Sequence, residues 1–262
     1  MDARPEDAPS APADELTRRM PSAPPAYLEA ALGNPALTPA HLALGLRNPQ
    51  VRAAWIQRVA RDPRWLKAYE VKAAMVLHPA TPRTLAMNLV GFLWWRDLVR
   101  VSEQPLLAPP LRRAAERLLG TRLPEMALGE KVTLARLAGR GIIAALRREG
   151  TPLVVRALLQ NPRLIEEDVL AITASQRSAG EVLRAIAEEP RWSTRPPVQK
   201  AIARHPETPK AVALRMVQSL GTAALKELLR TPKVPRLVKA AAERIIEARQ
   251  TRAPAPSGGD AE

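Results

Sequence analysis

LGNPAL (32–37), RDPRW (61–65), LHPATP (77–82) and AAERLL (114–119) follow one another along the first half of this chain. The second half returns the series as LQNPRL (159–164), EEPRW (188–192), RHPETP (204–209) and AAERII (241–246). Pro35 and Pro162, Trp65 and Trp192, His78 and His205, and Glu116 and Glu243 all lie 127 positions apart, so residues 32–119 align on 159–246 without a gap. About 23 of the 88 paired positions are identical. Self-similarity at a fixed period decides the architecture before any local motif does. Here it predicts an all-α protein, an α-solenoid of stacked helices whose two halves descend from one block.

Alternating runs of β-branched and aromatic residues, the signal for strands, are missing. Proline recurs at Pro35, Pro49, Pro63, Pro79 and Pro105, then at Pro162, Pro190, Pro206 and Pro232. That rhythm suits short helices joined by tight corners, because proline ends one helix and fits the first turn of the next. In His78-Pro79-Ala80-Thr81-Pro82, Pro79 holds His78 extended and closes the helix before it. Thr81 is then the expected N-cap, with Pro82 at the first helical position and Leu85, Leu89 and Leu93 as an inward stripe. His205-Pro206-Glu207-Thr208-Pro209 repeats the device, followed by Val212, Met216 and Leu220. Both histidines read as corner caps, and Trp65 and Trp192 as packing anchors between layers. Glu116-Arg117 and Glu243-Arg244 read as charges pairing with neighbouring helices.

The stretches VKAAMVLHPATPRTLAMNLV (71–90) and VQKAIARHPETPKAVALRMV (198–217) resemble bacterial leucine-rich-repeat-variant units, relatives of HEAT-like repeats. Together with weaker matches at Asn34-Pro35 and Asn161-Pro162, the resemblance covers about half of the chain. It implies helices alternating around an Asn/His-Pro-x-x-Pro corner in a right-handed superhelix, and it brings no reaction with it. Some members of that family carry an iron–sulfur module, which a chain without cysteine does not hold.

Residues 1–24, rich in proline, alanine and acids, are predicted to form a disordered tail with a short helix near Glu15–Met20, and 251–262 a second tail. Residues 25–120 and 152–250 are the two repeat halves. Between them, 121–151 is expected to supply bridging helices that continue the solenoid. Leu128, Val132, Leu134, Leu137 and Ala138 form the inward side of the first, and Ile142, Ile143 and Leu146 that of the second. One elongated body is the expected result.

The absence of cysteine removes disulfides, thiolate metal sites and cysteine nucleophiles. No apolar run approaches membrane-spanning length, and a cytoplasmic protein without cofactor or metal is expected. The formal net charge is +14, carried by 32 arginines and 8 lysines. Such a charge favours anionic partners, and it is also what a GC-rich genome tends to produce. Phosphate loops, nucleophile elbows and zinc-protease helices are not found.

The halves differ most at Trp94-Trp95-Arg96-Asp97, which aligns with Gly221-Thr222-Ala223-Ala224. A requirement of the shared scaffold would appear in both halves, so this bulk and charge point to partner binding, and Trp and Arg are the residues most enriched at binding hot spots. Filling a wider gap in one layer is the alternative. Basic residues cluster at Arg112, Arg113 and Arg117, at Arg136, Arg140, Arg147 and Arg148, and at Lys233, Arg236 and Lys239. Aligned along one face they would contact phosphates; otherwise they are solvated helix surface. The sequence therefore suggests a non-catalytic scaffold that binds a protein, with a nucleic-acid-binding solenoid as the alternative. HEAT-like DNA glycosylases place Trp and a carboxylate in a basic groove, and Trp94, Trp95 and Asp97 resemble that combination.

Overall fold

Proline has no N–H, so each Asn-Pro or His-Pro corner leaves the amide two residues after the Asn or His to be satisfied by a side chain. Asn34 Oδ1 accepts from the Ala36 amide at 2.7 Å, and Asn161 Oδ1 from the Arg163 amide at 2.8 Å. The other end of each side chain reaches back to an earlier corner. Asn34 Nδ2 donates to the carbonyls of Ala8 and Ala11 at 2.7 and 2.9 Å, and Asn161 Nδ2 to those of Ala135 and Ala138 at 2.8 and 3.0 Å. Asn48 does the same between the Gln50 amide and the Ala23 carbonyl. At His78 and His205 the ring replaces the amide. Nδ1 accepts from Ala80 or Glu207, so Nε2 carries the proton and donates to the carbonyl of Asn48 or Ser175, each at 3.3 Å. These side chains are buried, and each ties a corner to one about 30 residues earlier.

The computed structural model describes residues 4–175 and 178–251. Among them every regular element is a helix. The chain divides into two units, Met1–Glu125 and Met126–Glu262. The first holds a 3-10 turn at Pro5–Ser10, then α1 (Ala13–Arg19), α2 (Pro25–Ala31), α3 (Pro39–Gly45), α4 (Ala53–Arg61), α5 (Pro63–Lys67), α6 (Tyr69–Leu77), α7 (Arg83–Leu89), α8 (Trp95–Glu103) and α9 (Pro109–Arg122). The second holds α10 (Leu128–Leu137), α11 (Arg140–Leu146), α12 (Pro152–Leu159), α13 (Glu166–Ala174), α14 (Gly180–Glu188), α15 (Pro190–Ser193), α16 (Pro196–Arg204), α17 (Lys210–Ser219), α18 (Thr222–Arg230) and α19 (Arg236–Thr251). The bounds of α1, α4, α6 and α8 shifted by 127 are those of α11, α14, α16 and α18. In the first unit α3 packs on α6 and α6 on α8, while α7 packs on α9 and shares a groove with α4. In the second, α13, α16 and α18 pack in series, as do α14, α17 and α19.

Several expectations are corrected. Residues 5–23 are packed rather than disordered: Ala8, Ala11, Leu16, Met20 and Ala23 are buried, and Asn34 holds the Ala8 and Ala11 carbonyls. Composition misleads there because small residues at proline corners bury well even in an acidic stretch. Residues 1–3 lie outside the described residues; so does the predicted second tail, except for Thr251, which ends α19. The stretch 121–151 is not one bridge, since 121–125 close the first unit and α10 and α11 open the second. Of the side chains expected inward on α10 only Leu134, with Ala138 just beyond the helix, is buried; Leu128 and Leu137 are exposed. Thr81 is not an N-cap. Its hydroxyl donates to the Met75 carbonyl at 2.5 Å, at the end of the preceding helix, as Thr208 does to Ile202 at 2.6 Å.

Trp192 is the packing anchor expected of it, 1% exposed with Nε1 donating to the Leu159 carbonyl. Trp65 is only half-buried, under the Arg64 guanidinium. Trp55 provides the anchor in the first unit instead, donating to the Leu28 carbonyl at 3.0 Å.

Replacing Asn161 by Ala strands two buried carbonyls and one amide, so the second unit is expected to lose about 2–3 kcal/mol. Urea denaturation followed by circular dichroism measures it; a loss below about 0.5 kcal/mol would mean that the corner bonds carry little stability.

Candidate functional site

Leu93 and Leu98 are fully buried, and they fix the short corner between α7 and α8 from below. Trp94, held between them with an extended backbone just before α8, is 67% exposed. It is nevertheless held in place. Its ring stacks on Tyr69, the first residue of α6, with centroids 4.0 Å apart and planes 16° apart. The Trp94 amide donates to the Tyr69 hydroxyl at 3.0 Å, and that hydroxyl donates to Asp97 Oδ2 at 2.5 Å. Arg100 closes the set on Asp97 Oδ1 at 3.1 Å. Burial, then the hydrogen bond to the Asp97 carboxylate, pushes the Tyr69 hydroxyl up to about 12.

Phe92 is 63% exposed two residues earlier, with Lys72 Nζ 5.1 Å from its ring centroid. Trp95 is half-buried, with the Arg96 guanidinium 5.2 Å from its ring centroid and exposed. Of the two adjacent tryptophans, then, Trp94 is presented and Trp95 is partly sunk, as expected for neighbours at the start of a helix. Tyr69 and Asp97 also stand at the margin of a cleft of about 930 Å³ lined by α3, α6 and α8. Ala43, Leu46, Ala73, Ala74 and Leu77 give it an apolar lining, and Arg47, Glu70, Arg100 and Glu103 a mixed-charge one. Asp97 has both oxygens occupied, and His78, which also touches the cleft, has both ring nitrogens engaged. Among the described residues no group of three His, Cys, Asp or Glu side chains is placed to hold a metal ion, and no helix is long and apolar enough to cross a membrane.

Of the three basic clusters, Arg112, Arg113 and Arg117 belong to the first unit and the other two to the second. Arg140 and Arg147 converge on the buried Asp168, Arg147 at 3.2 Å, and Arg140 also reaches the Arg163 carbonyl. These two arginines are spent on structure. Asp168 in turn accepts from the Ile165 amide at the start of α13, so one carboxylate ties α11 to α13. Arg136 and Arg148 are exposed. Arg112 is half-buried with its Nε enclosed, while Arg113 and Arg117 are exposed on α9. Lys233 and Arg236 are exposed, Lys239 half-buried, and Lys233 has a left-handed backbone with φ of 63°. Among the described residues Glu116, Arg117, Glu243 and Arg244 form no ion pair, so the expected pairing at the layer edge is not made.

Sequence reasoning missed Tyr69, Lys72 and Phe92. The signal was present at the positions 127 further on, where Pro196, Gln199 and Ser219 stand, but pairwise differences between halves are numerous and only proximity singles these out. It also missed Arg122 and Arg249. Arg122 caps the carbonyls of Gly91 and Leu93, and Arg249 those of Gln218 and Leu220, so part of the positive charge serves helix ends.

The chain was compared with protein-family models, with curated proteins and with solved structures, and none of them matches it.

The raised Tyr69 group yields a pH test. A hydroxyl whose folded pKa lies above its unfolded value of 10.0 adds stability that is present below pH 10 and lost as pH rises toward about 12. In a Tyr27→Phe variant, which leaves Tyr69 as the one tyrosine, tyrosinate absorbance is expected to rise with a midpoint near 12. A midpoint near 10 would show that the stack on Trp94 is open in solution.

Proposed function

We propose that this chain is a non-catalytic helical-repeat scaffold, a right-handed α-solenoid built from a duplicated block, and that its first unit binds a protein partner at the α6–α8 margin. The solenoid and the duplication are supported by recurrence at a spacing of 127. Asn34 and Asn161, His78 and His205, and Arg122 and Arg249 make the same bonds at the same relative positions. The observation that carries the binding site is a large aromatic ring, Trp94, exposed yet fixed by Tyr69 on one face and through its backbone amide.

An exposed tryptophan that is already ordered loses little freedom on binding, which is the chief cost a hot-spot residue must overcome. Phe92 extends the apolar surface, and Lys72 and Arg96 give it a basic margin. Nothing in the scaffold requires this cluster, because the second unit packs its equivalent corner with Ser219, Gly221 and Thr222. Stacked repeats commonly present such surfaces on otherwise uniform bodies.

Trp94→Ala is expected to weaken capture of the partner from a lysate of the cells that make the protein by about thirtyfold, with the melting temperature changed by no more than about 2 °C. Trp95→Ala, which removes a half-buried ring, is expected to lower the melting temperature. Undiminished capture by Trp94→Ala would remove this site, and a large thermal loss from it would make the ring a packing residue.

A further inference from the structure

The row formed by α4, α7 and α9 in the first unit differs from the cleft side in its charge. Those three helices carry one carboxylate, Glu116, which is half-buried. Arg61 on α4, Arg83 on α7, and Arg113 and Arg117 on α9 are all exposed, and among the described residues none makes an ion pair or a side-chain hydrogen bond. Other arginines nearby are already engaged, Arg58 by Glu29 and Arg122 by two carbonyls. The equivalent helices of the second unit, α14, α17 and α19, carry Glu181, Glu188, Glu243 and Glu247. An unopposed arginine row is therefore particular to the first unit.

Two of the four side chains line interhelical grooves. Arg61 lines the groove between α4 and α7 with Gln57 and Thr84, about 250 Å³ in volume. Arg117 lines the groove between α7 and α9 with Met87 and Asn88, about 430 Å³. Arg83 stands one helical turn before Met87 and Arg113 one turn before Arg117, each on the same face of its helix as the groove residue. No large apolar side chain is exposed on α4, α7 or α9 among the described residues. That absence disfavours a membrane surface, which would take exposed aromatics or leucines, and a single strand, whose bases need rings to stack on. Arginine forks matched to phosphate oxygens remain, with hydroxyl and amide side chains between them.

We propose that the α4–α7–α9 row binds the phosphate backbone of double-stranded nucleic acid without reading its sequence, with Arg61, Arg83, Arg113 and Arg117 as the phosphate contacts. The proposal does not depend on the reading of the Trp94 margin. Four neutralised phosphates release about four counterions, so affinity falls with a log–log salt slope of about 3.6.

The test titrates a fluorescein-labelled DNA duplex of about 24 base pairs with the full chain between about 50 and 200 mM salt; affinity is expected to drop roughly a hundredfold over that range. Two duplexes of scrambled sequence are expected to bind within about threefold of each other. Arg83→Glu combined with Arg117→Glu is expected to weaken binding at low salt by more than about tenfold and to lower the slope by about 2, with an unchanged melting temperature. The milder Arg83→Gln and Arg117→Gln pair is read in its place should that melting temperature fall. Arg136→Glu with Arg148→Glu, in the second unit, is expected to leave affinity within about threefold. No duplex binding at low salt overturns the proposal, and so does an equal effect of the Arg136 and Arg148 pair. Binding to phosphatidylglycerol vesicles that Arg83 and Arg117 control, without duplex binding, overturns it in favour of a lipid surface.

Discussion

The structure depends on a side chain standing in for backbone at each Asn-Pro and His-Pro corner. Asn34, Asn48 and Asn161, and the rings of His78 and His205, accept from the amide two residues on and donate backward to an earlier corner. A buried unpaired carbonyl or amide costs as much as several good packing contacts return. The corners are therefore linked in series, with His78 donating to the carbonyl of Asn48, which itself donates to Ala23. Histidine serves this purpose only in its neutral form with the proton on Nε2, because Nδ1 must accept. This ties its position to structure and leaves it little capacity for chemistry.

Arginine plays a second structural part, and that changes how the charge is understood. Arg122 and Arg249 close helix ends, Arg140 and Arg147 serve the buried Asp168, and Arg191 covers Trp192 while donating to the carbonyls of Asn161 and Leu164. Part of the formal charge of +14 thus serves the fold. The unopposed arginines on α4, α7 and α9 have no such duty.

The Trp94 margin is fixed by residues from two helices. Tyr69 begins one helix and Asp97 lies in the first turn of another, so one hydroxyl fixes the ring of Trp94 and its backbone together. The cost of this arrangement is borne by a corner whose buried residues, Leu93 and Leu98, are unchanged as Leu220 and Leu225 in the second unit. The buried leucines are the same at both corners, and the exposed residues between and beside them differ.

The sequence by itself determined that the chain is helical, where most of its corners fall, and that His78, His205 and Trp192 serve packing. All of that is carried by local rules, since proline spacing and apolar periodicity act over a few residues. It also marked Trp94 through Asp97 as a difference between its two similar halves. Tertiary structure alone decided that residues 5–23 are packed, because Asn34 and Asn48 reach back 23 to 28 positions to hold their carbonyls. It alone brought Tyr69 under Trp94, a contact 25 residues apart in the chain, and it alone separated arginines that hold carbonyls or Asp168 from those that face solvent. Charge and ring type are written in the sequence; which of them has already found a partner depends on distances across the fold.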